Sequence, residues 1–154
     1  MKSRGFTLIE LLTAMAIMAI VVALALPFYN DIIERARITS TTNDIVEAIT
    51  MARSEAVRRR QVVSVAPTDG ANWANGWSVF DAANTNLGQF DPVPPTITAT
   101  PSTAFASIQF QPSGMRVIDV GAVTINVCGP SGRGRMISLS ATGSTQITII
   151  DNGC

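Results

Sequence analysis

The segment Gly132-Arg133-Gly134-Arg135 sets two arginines two residues apart, each next to a glycine. In an extended chain, side chains at positions i and i+2 leave the same face, so the two guanidinium groups would lie roughly 6–7 Å apart. A guanidinium grips phosphate oxygens in pairs, and glycine lets the backbone take positive φ and approach a ligand closely. The pattern predicts a contact with successive phosphates of a nucleic-acid strand; the alternative is a solvated turn.

The other basic residues are weaker candidates for phosphate contacts. Arg116, just past a predicted turn, is a candidate third phosphate contact, although the sequence does not give its position relative to the pair. The run Arg58–Arg60 is either a phosphate contact or, as we prefer, a group of cations at a helix C-terminus. The formal net charge is zero, and Asp119 and Asp151 are acidic residues that could oppose DNA. Nucleic-acid binding therefore depends on the local cluster.

Catalytic and metal chemistry are poorly supported. The chain has no histidine, which removes His-based acid/base catalysis and most transition-metal sites. Its two cysteines, Cys128 and Cys154, are too few for a structural zinc site and too far apart for a redox pair. Carboxylates such as Asp69 and Asp81 are typical of turns. We expect no enzyme activity, cofactor, metal or small-molecule substrate.

The two cysteines have two interpretations. If the C-terminal half lies outside the cytoplasm, they form one disulfide. It would close a loop of 27 residues, worth about 3–4 kcal/mol in the chain-entropy model. The alternative is a pair of free thiols in a cytosolic domain.

The N-terminal region contains an apolar run, Phe6–Leu26, of 21 residues with Glu10 as its one charge. Such a helix is about 32 Å long and can cross a bilayer. The basic residues Lys2 and Arg4 precede it, which places the N-terminus in the cytoplasm and the rest of the chain outside. A secretory signal fits poorly because the run is long and lacks a cleavage site after it. A plain signal anchor leaves Glu10 unexplained, since a carboxylate there costs about 2.5–3.5 kcal/mol.

The run Gly5-Phe6-Thr7-Leu8-Ile9-Glu10 resembles the processing motif of type IV prepilins and pseudopilins. The resemblance implies cleavage between Gly5 and Phe6 by prepilin peptidase, followed by N-methylation of Phe6. It also implies that Glu10 is kept for assembly, where it meets the N-terminal ammonium of a neighbouring subunit. In an apolar fibre core, the two charges tolerate burial only as a pair. The implied partners are prepilin peptidase, the inner membrane before assembly, and other major and minor pilins.

Beyond the membrane segment, residues 29–60 continue as an amphipathic helix and residues 61–154 form a β-rich head. The apolar stripe of the helix is predicted at Ile32, Ile38, Ile45, Ile49, Ala52 and Val57. The predicted strands are Val62–Val65, Gly76–Phe80, Ala104–Phe110, Met115–Ile118, Ala122–Cys128, Met136–Ser140 and Thr145–Ile150. Residues 81–103 are proline-rich and are predicted to be a long loop with edge pieces, while Gln111–Gly114 is predicted to be a turn. Trp73 and Trp77 are expected to pack inside.

These elements predict an α+β fold with a lollipop shape, in which a long N-terminal helix packs on a small antiparallel β-sheet head. The expected regions are a leader (1–5), a transmembrane and assembly helix (6–28), its amphipathic continuation (29–60) and a periplasmic head (61–154). The order of the strands, the Phe110–Val117 hairpin segment and the terminal cysteines resemble the minor pilin family that includes FimT, FimU and the pseudopilin GspH.

Within that family, Gly132–Arg135 resembles the G-R-x-R motif of FimT-type minor pilins. The resemblance implies DNA capture in natural transformation, with Arg133 and Arg135 as phosphate binders and Gly132 and Gly134 as shapers. Binding would be weak, salt-dependent and without base readout. Two other functions stay open: a structural minor pilin that primes pilus assembly, and a type II secretion pseudopilin. The expected location is the inner membrane, then the extracellular pilus.

Overall fold

The computed structural model describes residues 6–70, 72–101, 105–117 and 122–154, without the side chains of residues 25–28. Gly5, with the rest of the predicted leader, and Asp119 lie outside these ranges. One long helix, α1, runs from Leu8 to Arg59. The chain divides into two compact units, Met1–Arg35 and Ala36–Cys154, and α1 contributes to both.

The first unit consists of the apolar half of α1. Large apolar side chains are exposed along it, including Leu8 at 77% and Leu24 at 73%. By length and composition, α1 can cross a membrane, because an 18-residue stretch of it has a mean hydropathy of 2.5. The exposed apolar surface agrees with a segment that has lipid or other apolar helices as its surroundings.

In the second unit, one face of α1 is buried in the core. The buried positions are Ile38, Ile45, Ala48, Ile49, Ala52 and Ala56. Apart from the adjacent pair Ala48 and Ile49, their steps are three, four and seven residues, which keeps them on one side of the helix. The predicted stripe is therefore confirmed from Ile38 to Ala52 and wrong at its ends, because Ile32 is 47% exposed and Val57 is 50% exposed.

The rest of the second unit forms two antiparallel sheets of four strands each, with strand orders β3-β2-β1-β5 and β4-β6-β7-β8. The strands are β1 (Val63–Pro67), β2 (Trp77–Asp81), β3 (Asn86–Phe90), β4 (Thr98–Pro101), β5 (Ile108–Phe110), β6 (Val123–Cys128), β7 (Gly134–Leu139) and β8 (Thr145–Ile150). The α+β class is confirmed. The head has two sheets where the sequence predicted one small sheet.

The region predicted as a long loop contains two strands, β3 and β4, and each is an edge strand of its sheet. This agrees with the predicted edge pieces. The strand predicted at Met115–Ile118 is wrong for its described part, where Arg116 forms only an isolated bridge with Phe110. Two hydrogen bonds flank this bridge, from the Gln111 N–H to the Met115 carbonyl and from the Val117 N–H to the Gln109 carbonyl (2.8 Å each). The Arg116 N–H points away from β5 and donates to the Ala141 carbonyl (3.0 Å).

Apolar side chains from both sheets and from α1 form one core. Val65, Val79 and Phe110 contribute from the first sheet, and Ile125 and Ile137 from the second. Trp73 and Trp77 are 2% and 1% exposed, which confirms that they pack inside the head and do not form a stacking surface. Their burial removes the two indoles from any nucleic-acid interface.

Candidate nucleic-acid interface

The Gly-Arg-Gly-Arg segment lies at the tip of the hairpin that joins β6 to β7. A tight turn forms there because the Gly132 N–H donates to the Gly129 carbonyl (3.1 Å). Gly132 has φ of 77°, a conformation that favours glycine. The Gly129 N–H then donates to the Arg133 carbonyl (2.9 Å), so the ladder of the hairpin already begins at Arg133. The hairpin backbone therefore fixes both arginines at one end of the second sheet.

Arg133 and Arg135 lie on one face of this sheet. Arg135 pairs with Val127 in the register of β6 and β7. Because side chains alternate along a strand, both arginines share the face of Val127 and Ile137, which are buried. Both arginines are half-buried. The sequence predicted their common face, but it did not indicate that this is the core-facing side of the sheet, at its end.

Arg135 is the cation best placed to meet an external anion. Its side chain makes no hydrogen bond or ion pair with any residue that the structure describes. Its cross-strand neighbours are both apolar, Val127 on β6 and Ile149 on β8. An acidic residue is also nearby in the register of the strands, because Asp151 directly follows Ile150, which pairs with Gly134. A ligand at Arg135 would therefore meet one cation within a mixed apolar and acidic surrounding.

Gly134 has a structural reason to be glycine. Cys128 and Cys154 form a disulfide, with their Cα atoms 5.6 Å apart, which confirms the predicted bridge. A Cβ on Gly134 would collide with the Cys154 Sγ and with the Val127 carbonyl oxygen. Since Gly134 and Cys128 are paired, the disulfide lies on the face opposite the arginines. Gly134 thus makes room for the disulfide, and close approach to a ligand is not needed to explain it.

The disulfide also holds the chain end against the hairpin. The Cys154 N–H donates to the Gly132 carbonyl at 3.3 Å. The loop that the bridge closes contains the whole of β7 and β8. The motif is therefore braced both by the ladder of β6 and by the C-terminal segment.

Arg116 does not belong to this surface. It is 4% exposed, in the interior of the second unit. Its backbone is fixed by the bridge to Phe110 and by the hydrogen bond to Ala141. The prediction of a third phosphate contact at Arg116 is therefore wrong, because a buried guanidinium cannot reach a phosphate outside the protein.

The run Arg58–Arg60 is engaged mainly within the protein. The Nε atoms of Arg58 and Arg59 donate to the Glu55 carboxylate, at 3.0 and 2.6 Å. These hydrogen bonds, from Arg58 first and then Arg59, lower the pKa of Glu55. Arg59 also lies 3.7 Å from the Asp81 carboxylate. The preferred interpretation, cations that stabilise the end of α1, therefore accounts for Arg58 and Arg59.

The residues of the processing motif lie at the start of α1. Gly5 is outside the described residues, and Phe6 is exposed. The Glu10 N–H is capped by the Thr7 hydroxyl at 3.3 Å. The Glu10 carboxylate is exposed and forms no ion pair with a described residue. Among the described residues, nothing supplies a counter-charge for this carboxylate.

A long helix that begins with an apolar, membrane-length segment and continues into the core of a head with antiparallel sheets defines a pilin-like protein. A family model described as Type II transport protein GspH matches residues 41–143. A second model, the prokaryotic N-terminal methylation motif, matches residues 1–26. The chain belongs to the GspH family of minor pilins and pseudopilins.

Solved structures with a similar fold include two minor subunits. The type IV minor pilin FimU of Pseudomonas aeruginosa is 25% identical, with a TM-score of 0.66 over 77% of this chain and 96% of FimU. The minor pseudopilin EpsH of the type 2 secretion system of Vibrio cholerae has a TM-score of 0.55 over 73% of this chain and 97% of EpsH. EpsH is 7% identical, so that likeness concerns the fold alone.

Sequence relatives are pilins as well. A fimbrial protein of Pseudomonas aeruginosa is 32% identical over 75 residues, which is 49% of either chain. The pilin-like protein PilA1 of Thermus thermophilus is 33% identical over 93 residues, 60% of this chain and 56% of the relative. The aligned part thus spans about half the length of the fimbrial protein.

Proposed function

We propose that this chain is a minor type IV pilin that binds DNA through its phosphate backbone, without sequence preference, for uptake in natural transformation. The observation that carries the proposal is the Arg135 guanidinium, half-exposed at the end of the second sheet and without a partner among the described residues. Arg133 on the same face supplies the second phosphate contact. Gly132 shapes the turn, and Gly134 with the disulfide keeps it rigid.

The same proposal includes the path to the fibre. Residues 6–28 anchor the precursor in the inner membrane as a single span, with residues 61–154 in the periplasm. Prepilin peptidase cuts between Gly5 and Phe6, the new Phe6 amine is methylated, and the subunit joins other pilins in the extracellular fibre. The methylation-motif match at residues 1–26 supports this path, as does the Glu10 carboxylate, which has no ion pair with a described residue.

Weak binding follows from the charge of the head. Residues 61–154 contain three arginines, no lysine and five aspartates. One of the three, Arg116, is buried, so about two phosphates are neutralised by the head, and the logarithm of affinity should fall with the logarithm of salt with a slope of about −2.

Two alternatives without DNA binding have support of their own. A minor pilin that primes pilus assembly needs only the processing motif and the fold. A type II secretion pseudopilin is favoured by the description of the matching family model. FimU and the fimbrial relatives are more similar in sequence than EpsH is, which favours the pilus.

The test uses a soluble fragment that begins near Asp31 and contains every buried position of the core. We expect it to retard double-stranded DNA of unrelated sequences at about 50 mM salt and to release it steeply as salt rises. Arg133→Ala or Arg135→Ala should weaken binding several-fold and together abolish the retardation, with an unchanged unfolding temperature.

The matched control is Arg58→Ala, which removes an exposed arginine at the end of α1. If it weakens retardation as much as Arg135→Ala does, binding follows overall charge and the site is wrong. If the unmodified fragment does not retard DNA at about 50 mM salt, DNA binding is excluded and the priming role becomes the proposed function.

A further inference from the structure

The strand β8 is an unprotected sheet edge. It is the outermost strand of the second sheet, and no described strand pairs with its far side. Of its residues, TQITII, five of six are β-branched, and none is charged or proline. Sheet edges in natural proteins are usually blunted by charges, prolines or bulges, because a bare edge is a template for another strand.

The phase of the backbone identifies the groups that face outward. The Ser140 N–H donates to the Ser144 carbonyl at 3.0 Å, so this pair is a hydrogen-bonded one. Hydrogen-bonded and non-hydrogen-bonded pairs alternate along an antiparallel ladder. In the register of β7 and β8, the residues Thr145, Ile147 and Ile149 therefore direct their N–H and C=O groups away from β7. Gln146 and Thr148 direct theirs toward it.

Apolar side chains accompany this open edge. Ile147 is 43% exposed and Ile149 is 69% exposed. They pair with Ile137 and Arg135, so they share one face with the guanidinium that has no partner among the described residues. The edge thus offers outward backbone groups, two exposed isoleucines and one available cation side by side.

We propose that β8 accepts an extended segment of another pilin-type subunit as a ninth strand of the head. The segment has apolar side chains opposite Ile147 and Ile149 and a carboxylate within reach of Arg135. The inference rests on membership of the GspH family, whose subunits assemble with other pilins. It shares Arg135 with the proposed DNA contact but does not require that the chain bind DNA.

The chemistry of the edge selects this partner. A row that alternates N–H and C=O groups is complementary to another polypeptide backbone. DNA phosphates could accept hydrogen bonds from the N–H groups, but the neighbouring carbonyl oxygens would repel them. A second copy of β8 is a poorer fit, because β8 contains no acidic residue and full-length pairing would bring no carboxylate to Arg135.

The experiment is site-specific photo-crosslinking of the full chain in the cells that produce it, with benzoylphenylalanine at position 149. The control places the photo-crosslinker at position 148, on the opposite face of β8. We expect position 149 to give an adduct that mass spectrometry maps to an extended segment of another pilin-type subunit, with alternating apolar residues and a carboxylate. Position 148 should give at least fivefold less of it.

Substitutions at Ile147 and Arg135, each combined with the photo-crosslinker at position 149, test which groups of the edge bind the segment. Ile147→Pro removes one outward N–H while leaving the hydrogen bonds to β7, and it should reduce the adduct at least fivefold; Ile147→Thr, which keeps the N–H, should reduce it less. Arg135→Glu lies on β7 and should also reduce it, which covers the case in which the proline variant misfolds.

The proposal is overturned if position 149 yields no adduct or an adduct to DNA, if both positions yield equal amounts, or if the adduct survives Ile147→Pro and Arg135→Glu. DNA retardation by the Ile147→Pro fragment separates the two proposals, since it should be unchanged. If Ile147→Pro abolishes the adduct at position 149 while its fragment still retards DNA, the edge of β8 is needed for the subunit contact and not for DNA binding.

Discussion

Gly134 lies directly against Cys154: a Cβ on this glycine would overlap the Cys154 Sγ and the Val127 carbonyl oxygen. The hairpin that carries the two arginines is therefore fitted to the disulfide on its other face. Substitutions at Gly134 and at the two cysteines should therefore have coupled effects on the free energy of unfolding.

Gly134→Ala should destabilise the soluble fragment by about 1–3 kcal/mol, because the added methyl overpacks a position bounded by backbone. Gly132→Ala is the comparison. Its Cβ would meet little, so the cost there is the positive φ, about 1 kcal/mol. Urea unfolding measures both free energies. Equal or reversed effects would contradict the packing role of Gly134.

Replacing both Cys128 and Cys154 by serine should lower the free energy of unfolding by about 3–4 kcal/mol, since the unfolded chain regains the entropy of an open loop. In that background, Gly134→Ala should cost less than in the disulfide-bonded protein, because the chain end is free to move away. A double-mutant cycle in urea measures this coupling. A coupling of zero would mean that only the Val127 carbonyl restricts position 134.

Asp44→Asn should stabilise the fragment slightly at pH 7, by about 0.5 kcal/mol or less. Burial, and then the negative charges of Glu47 and Asp91, raise the pKa of Asp44 in the folded state. The folded protein therefore holds this proton more tightly than the unfolded chain does, and ionisation above the raised pKa is a cost to folding.

That cost disappears as the pH falls below the ordinary pKa of an aspartate. Thermal unfolding of both proteins should show the advantage of Asp44→Asn at pH 7 and its loss at about pH 3. An advantage that persists in acid would mean that the amide acts through hydrogen bonding and not through charge.

Glu10→Ala should reduce incorporation into fibres at least tenfold without affecting membrane insertion, because a neighbouring N-terminal ammonium would be left without its counter-charge in an apolar core. Glu10→Asp keeps the charge on a shorter side chain and should retain part of the incorporation. Immunoblots of sheared fibres and of membranes give both quantities. Normal incorporation of the alanine variant would rule out the charge pair.

Much of the fold could be predicted from local pattern. The long helix follows from an apolar run continued by an amphipathic repeat, and β8 is observed with the bounds that its alternating residues predicted. Glycine and proline marked the turn Gln111–Gly114, which the Gly114 N–H closes by donating to the Gln111 carbonyl (2.8 Å). Such features depend on residues that are close together in the chain, so they can be predicted from the sequence alone.

Other features depended on contacts between residues far apart in the chain. Arg116 is buried, and its backbone N–H donates to the carbonyl of Ala141, which is distant in the chain. The strands β3 and β4 form in a proline-rich region because β2 and β6 offer edges to pair with. The sequence predicted that Arg133 and Arg135 share a face, since that requires only an extended chain. The register of β6, β7 and β8 decided three other features: the face that the arginines share, the need for glycine at position 134, and the open edge of β8. None of these can be predicted from local sequence, because strands that are distant in the chain pair with each other.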